Sequence, residues 1–373
     1  MEPAPQVMGL ENVFIFRRAG VAVDESQVRG GRTRQASIVD VAALAGVSPA
    51  TVSRSLRGHR NVSPQTRQRV LDAARELAYT ISPNASGLAS GRTGAVGVVV
   101  PFVTRWYFAN VIAGLHDALS VAGYDLLLYH LGDVAARDRF FERMPLARRV
   151  DAVVNVAMPL PEEHTLALRA LDMPMVTVGA RVPGVPGVGI DDELACRTAV
   201  HHLVHQGHER ITMLAGPDDD GGFGFVSSHR RRAGYLAAMA AAGLRPCVHA
   251  VDAYGIEAGI VGMEAILGGQ RLPTAVVAEY DELAIGGIRA MRRASVAVPG
   301  QVSVIGVDDH EMAAVVDLTT IAQPVHELGV VAGRMLAAML DGGSQAVVEN
   351  VVLPTRLVVR GSTGVPSSRA AIT

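Results

Sequence analysis

The sequence predicts a small all-α head followed by a two-lobed α/β body, and three observations predict it. Between residues 36 and 81 the chain carries short helical segments, each opened by a serine. From Ala95 onward, apolar runs of strand length alternate with segments of helix length. The charge divides at the same place. From Arg29 to Thr93 ten arginines face three acids, and from Gly94 to the end 22 arginines face 29 acids, so a head of +7 precedes a body of −7. A basic head on an acidic body fits a polyanion-binding module fused to a separate globular unit.

The chain has 373 residues, which favours two or three domains. It is 49% hydrophobic with mean hydropathy +0.26, ample for a large core. No apolar run reaches the roughly 18 residues of a membrane helix. The N-terminus lacks the basic start and apolar stretch of a signal peptide, so the expectation is a cytoplasmic protein. Cys196 and Cys247 make neither a disulfide framework nor a four-ligand zinc site. No cofactor or metal is expected. Lysine is absent, so every fixed cation is a guanidinium, suited to bidentate contacts with phosphate and guanine.

Residues 1–35 show no sustained periodicity and are expected to form a disordered arm. In 36–81, Ser37 caps "IVDVAALA", with Ile38, Val41, Leu44 and Ala45 on one face. Gly46 ends that helix. Ser48 caps the next, with Pro49 at the first helical position, where its missing N–H costs nothing. Ser63 caps "PQTRQRVLDAARELAY", whose apolar face is Val70, Ala73, Ala74 and Leu77. Two helices joined by a tight turn can place the second in the major groove, its N-terminal residues toward base edges. The spacing alone fits an ordinary helical hairpin equally well. The local charge, and serine caps whose first-turn N–H groups can receive phosphate, favour DNA binding. Residues 82–93 add a Ser-Pro start, "SPNASGLA", and a linker.

In the body, "AVGVVVP", "YDLLLYH", "VDAVVNVAM", "MPMVTVGA", "ERITMLAGP", "TAVVAEY" and "QVSVIGVDD" read as buried strands. Alternation with helices implies parallel sheets covered on both faces. The length implies two lobes. Ligands of such sheets bind beyond the carboxyl ends of the strands, and those ends are the polar, aromatic and Gly-rich stretches of this chain.

The run "SIVDVAALAGVSPATVSRSLRGHRNVSPQTRQRVLDAARELAY", a short hinge and "GRTGAVGVVVP" resemble the lac repressor/galactose repressor family of bacterial transcription regulators. "HHLVHQGHERITMLAGP", "YDELAIGGIRAM", "VSVIGVDD" and "LTTIAQP" look like that family's core landmarks in order. The resemblance covers about residues 36–361. It implies an α/β two-lobed periplasmic-binding-protein-like core at 94–361, behind a helix-turn-helix DNA-binding domain at 36–81 and a hinge helix and linker at 82–93. Lobe one is expected at about 94–190 and 321–342, and lobe two at about 192–318 and 343–361. It further implies a homodimer on a near-palindromic operator, with a small sugar-like effector between the lobes. Residues 362–373 are expected to be a disordered tail. They carry no heptad pattern, so nothing there joins dimers into a tetramer.

In the head, Pro49 and Ala50 match the two family positions that most often vary the readout. A rigid start and a methyl group suit thymine contact. Arg54 is the expected guanine reader, with Ser37, Ser48, Thr51, Ser53, Arg57, Ser63 and Asn84 as further DNA contacts. Leu88 matches the family's minor-groove wedge, which unstacks a base step. Eight residues cannot hold the hinge helix alone in water.

In the core, Arg231 matches the family arginine that grips effector hydroxyls or carboxylates. Asp308 ends the "GVDD" strand, and Gln323 lies in the last crossover. Trp106, Tyr107 and Phe108 replace an aromatic-rich loop of lobe one. Asn155, Tyr280 and Asp281 complete the expected effector contacts. Tyr280 stands where an Asn usually precedes Asp281, and Gly179 where some members carry an Asp. His201, His205 and His208 are spaced for one helix face, but the resemblance puts His208 in a turn, and a solvated face is expected rather than a metal site. No phosphate-loop lysine or Gly-x-Ser-x-Gly elbow points to an enzyme. The reading is an effector-responsive transcription regulator of repressor type. The alternatives are a regulator sensing a nucleobase or other non-sugar metabolite, and a solute-binding protein.

Overall fold

A computed structural model describes residues 36–56, 61–79, 92–218, 223–342 and 350–367. The chain divides into two compact units, residues 1–81 and 82–373. None of the described helices is long and apolar enough to cross a membrane.

The first unit holds α1 (Ile38–Ala45), α2 (Pro49–Leu56) and α3 (Pro64–Glu76). A capping box opens α1: Ser37 Oγ accepts from Asp40 N, and Asp40 Oδ2 accepts from Ser37 N. Gly46 closes it in the left-handed region at φ 64°, its N–H donating to Ala42 O and Ala43 O. Ser48 Oγ accepts from Thr51 N at the start of α2, and Ser63 Oγ accepts from Thr66 N at the start of α3. The core is small: Val41, Ala42, Ala45, Val52, Val70, Ala73 and Ala74. One expectation fails here. Leu44 is 47% exposed and Ala42 is buried in its place, because the buried stripe of α1 runs through 38, 41, 42 and 45.

The second unit is two stacked α/β lobes. Lobe one holds β1 (Ala95–Val100), α4 (Trp106–Val121), β2 (Asp125–His130), α5 (Val134–Arg143), β3 (Ala152–Val156), α6 (Glu162–Arg169), β4 (Met175–Val178) and β5 (Gly187–Gly189). Lobe two follows with α7 (Asp192–His205), β6 (Ile211–Ala215), α8 (Val226–Ala241), β7 (Cys247–Ala250), α9 (Ile256–Leu267), β8 (Ala275–Ala278), α10 (Asp281–Arg293), β9 (Ser303–Asp308), α11 (Glu311–Val315) and β10 (Thr319–Ala322). The chain returns to lobe one as α12 (Val325–Leu340) and β11 (Val351–Val352), then ends in lobe two with β12 (Arg356–Val358). The sheet orders are β11-β5-β4-β3-β1-β2 and β12-β10-β9-β8-β6-β7. Every pairing is parallel except β10 with β12. The chain therefore crosses between lobes after β5, β10 and β11.

All six residues of β1 and all five of β3 are buried, as strands covered on both faces require. In lobe one α4 and α12 meet backbone to backbone. A Cβ on Gly114 would lie 2.0 Å from His326 O, and one on Gly329 would lie 2.2 Å from Val111 O.

Three boundaries differ from expectation. Ile321 and Ala322 belong to lobe two, because β10 pairs with β9 through Ala322. The closing strands at 343–361 are shared rather than both in lobe two, since Val351 and Val352 pair with β5 of lobe one. Residues 362–367 are built into lobe two and are not a loose tail. Ser362 Oγ donates to Val304 O and accepts from Thr319 N, and Gly364 O receives Ser303 Oγ and His208 Nε2. Small polar residues without periodicity give no sign in sequence that they will satisfy a sheet's loose ends.

Candidate functional site

The crossings leave a cleft between the lobes at the carboxyl ends of β1, β3, β4, β6, β8 and β9. It encloses about 1080 Å³, open solvent at its mouth included. The loops that follow the strands converge here, at the end of each sheet where ligands of this architecture bind.

Its polar floor is built on lobe two around Arg231, which is 7% exposed. Arg231 Nε donates to Asp192 Oδ1 at 2.9 Å, and Nη1 donates to Glu279 O at 2.9 Å. The same Nη1 lies 3.5 Å from Asp308 Oδ1, which also accepts from Gln323 Nε2 at 2.5 Å. Burial alone would lower the Arg231 pKa, but Asp192, Asp308 and Glu279 outweigh it and keep the guanidinium charged. Burial pushes the Asp308 carboxyl up to about 6, against the pull of Arg231. Asp308 and Asp309 both have positive φ, 135° and 59°, so the turn after β9 holds Asp308 in a conformation that non-glycine residues rarely adopt.

The wall on lobe one is mostly small or apolar: Phe108, Ala157, Gly179, Val188, Ile190 and Leu328. Tyr107 adds a hydroxyl. A Cβ on Gly179, whose φ is +70°, would lie 2.5 Å from Tyr107 Oη, so the phenol occupies the space a side chain at 179 would take. Burial raises the Tyr107 pKa, and the Asp192 carboxylate adds to it, so its hydroxyl stays protonated.

Two contacts close one side of the cleft. Arg105 of lobe one pairs with Glu282 of lobe two at 2.8 Å, with its guanidinium 4.6 Å from the centre of the Tyr254 ring and 4.9 Å from that of Tyr280. Phe102 of lobe one meets Phe223, Phe225 and Tyr254 of lobe two, with ring centres 5.5–6.2 Å apart, and Phe108 backs Phe102 edge-on at 5.8 Å.

Of the expected effector residues, Tyr107, Phe108, Arg231, Tyr280, Asp308 and Gln323 line the cleft. Three do not. Trp106 turns its ring toward His310, 5.0 Å centre to centre. Asn155 is buried within β3, where its Nδ2 donates to Met158 O and holds the turn that follows. Asp281 is fully buried, accepting from Thr320 Oγ1 at 2.7 Å and His310 N at 2.9 Å, and so ties α10 to the ends of β9 and β10. Trp106 and Asp281 each adjoin a cleft residue in sequence, Tyr107 and Tyr280, and Asn155 lies two residues before Ala157, but none of the three side chains reaches the cleft. The sequence reading missed Arg105, Asp192, Phe225, Tyr254 and Glu279. Asp192 opens a helix just after the first crossover, a position that points to the cleft.

On the head, the expected DNA contacts of α2 lie on its outer side. Pro49, Ala50 and Arg54 are exposed and Thr51 and Ser53 half-buried, while Val52 and Ser55 face the core. Arg54 Nε donates to Ala50 O at 3.3 Å, folding back over the first turn. Neither α2 nor α3 has an acid in its first turn, so Ser48 and Ser63 mark helix ends open to phosphate. Ser37 does not, since the Asp40 carboxylate already sits there. Arg57, Asn84 and Leu88 lie outside the described residues. Of the three spaced histidines, His208 lies past α7 and spends its Nε2 on Gly364 O.

A helix-turn-helix head on a two-lobed cleft-bearing core defines a DNA-binding regulator with a ligand-binding domain. Residues 37–84 match the model of bacterial regulatory proteins of the lacI family, and residues 200–363 match that of the periplasmic binding protein-like domain. Catabolite control protein A of Priestia megaterium is 30% identical over 334 residues, 88% of this chain and 99% of that protein. Among solved structures, the lac repressor dimer bound to operator and the anti-inducer ONPF superposes with a TM-score of 0.78 at 28% identity, covering 89% of this chain and 100% of that one. The complex of the transcriptional regulator CelR with cellobiose gives 0.63 at 29% identity, covering 88% and 99%. The chain belongs to the lacI family of bacterial transcription regulators, and it is not an enzyme.

Proposed function

We propose that the protein is a homodimeric repressor that binds a near-palindromic operator through α2 and releases or grips it according to a hydroxylated, sugar-like effector in the inter-lobe cleft. The observation that carries this reading is the Arg231 cluster. A charged guanidinium, two carboxylates and an amide converge on one cleft opposite the Tyr107 hydroxyl, a set that suits several adjacent hydroxyl groups. The cellobiose bound by CelR and the ligand of the lac repressor structure support it by similarity. On the DNA side, Pro49, Ala50 and Arg54 meet the bases and the open ends of α2 and α3 meet phosphate.

The mechanism is differential affinity. The cleft is lined from both lobes, so an effector filling it favours one degree of closure, and it shifts the switch only by that preference. A coupling of about 1–3 kcal/mol is typical. A gel shift with the protein's own promoter region, with and without a sugar panel, tests this. Operator binding that a sugar alters supports the reading, and absence of operator binding at low salt overturns it. The aromatic lining from both lobes, Phe108 and Phe225, also suits a flat nucleobase, which the same panel can include.

A further inference from the structure

Two of the expected effector residues that miss the cleft, Trp106 and Asp281, belong to a seam beside it. Arg105 and Trp106 are consecutive at the start of α4 on lobe one, and both side chains reach lobe two. Arg105 is the N-cap of α4, yet its side chain caps nothing. Instead its Nε and Nη2 both donate to Glu282 Oε2, at 3.2 and 2.8 Å. The pair is sheltered, the two side chains being 22% and 15% exposed. Trp106 lays its ring 5.0 Å from that of His310. His310 is itself held in place: its N–H donates to Asp281 Oδ2, and its Nδ1 accepts from Met312 N.

The seam continues as apolar contact. Phe223 and Phe225 come from lobe two, are 4% and 5% exposed, and join the buried cluster built on lobe one. Phe102 of lobe one packs on both. Drawing the lobes apart returns these rings to water and leaves Arg105 and Glu282 without each other. Every one of these contacts is made by the chain's own groups. Arg105, Phe225, Tyr254 and Tyr280 also line the cleft, so the seam is one of its walls.

We propose that this seam is a latch: it holds the core shut in the resting protein, and its opening admits the effector and changes the grip on DNA. This rests on the reading of the cleft as the effector site. It adds that the resting core is closed by its own residues, with the pair of Arg105 and Glu282 as the release point. Resting operator affinity is then set at the seam before any effector binds.

Trp106 is the only tryptophan of the chain and sits inside the seam, so it reports on the latch. The test is acrylamide quenching of its fluorescence in the full-length protein with no ligand added. The natural protein is expected to protect it. Glu282→Gln removes the charge at nearly unchanged size, and Glu282→Arg sets two cations against each other. Quenching is expected to steepen in that order, by at least about twofold in Glu282→Arg, since an attraction turned into a repulsion shifts an equilibrium by that factor or more. Adding Arg105→Gln to Glu282→Arg removes the clash and should return part of the protection, whereas plain loss of stability would make the double variant worse. Arg293→Gln breaks an exposed pair with Glu264 inside lobe two and should change nothing. A Trp106 already open to acrylamide in the natural protein overturns the proposal. Equal quenching in every variant, or a double variant more open than Glu282→Arg, overturns it too. The same proteins are then titrated against a labelled fragment of the protein's own promoter region. Glu282→Arg is expected to shift operator affinity at least about fivefold without effector. Unchanged affinity with the seam open overturns the link to DNA. If the natural protein binds no operator, the regulator reading falls with that link, and the quenching series alone decides the latch.

Discussion

Tyr107 and Gly179 occupy one another's space. The Tyr107 hydroxyl stands 2.5 Å from where a Cβ on Gly179 would be, and Gly179 has a φ of +70°. A side chain at 179 is therefore both strained and obstructed. Gly179→Ala is expected to displace the Tyr107 ring, weaken effector binding and destabilise the core by about 1–2 kcal/mol. In the double variant with Tyr107→Phe, the removed hydroxyl gives back part of the stability but none of the affinity. Denaturant melts and calorimetry read the two effects separately.

Arg231 is the second point of leverage. Removing it leaves the buried Asp192 and Asp308 carboxylates facing each other without a counter-charge. Breaking a buried pair in this way costs about 3–5 kcal/mol. Arg231→Met should thus destabilise the core strongly and abolish effector binding. Adding Asp192→Asn and Asp308→Asn should restore much of the stability without the binding. Thermal unfolding of the single and triple variants checks both parts.

Asp281 sets a pH dependence. Burial, with the nearby Asp308 carboxylate adding to it, raises its pKa to about 8. A carboxyl raised on folding holds a proton that the unfolded chain releases near a pH of about 4. Its stabilising contribution is complete below that value and is lost as pH rises through about 8, at up to about 1.4 kcal/mol per unit. Asp281→Asn imitates the protonated form, its amide donating to Thr320 Oγ1 and its oxygen accepting from His310 N. The variant should lose less stability than the natural protein between pH 5 and 8, in buffers about one unit apart. Parallel curves would reject a proton held by Asp281.

On the head, Arg54 is the only long polar side chain on the outer side of α2. Arg54→Ala is expected to relax preference at one base pair per half-site, a loss of about 1–3 kcal/mol of discrimination. Selection from a randomised operator library should show that position going neutral while the others hold.

Much of this was legible in the sequence. Strands such as β1 and β8 are covered on both faces and so read as unbroken apolar runs. The three helix starts of the head are written in Ser37, Ser48 and Ser63. What escaped has physical reasons. β5 is three residues long with two glycines, and β7 is an edge strand with two exposed residues, so neither carries an apolar signature. Asn155 sits near the end of β3 and Asp281 opens α10, where sequence gives the position but not the direction in which a side chain leaves. The clasp of Arg105 with Glu282 joins residues 177 apart, and no local pattern announces it.

The central claim is that occupancy of the Arg231 cleft changes operator affinity. Fluorescence anisotropy of a labelled operator fragment, titrated with the full-length protein at zero and saturating effector, measures it directly. The account predicts a shift of roughly 5- to 150-fold, lost in the triple variant Arg231→Met, Asp192→Asn, Asp308→Asn. Equal operator affinity with the cleft empty and full would contradict it.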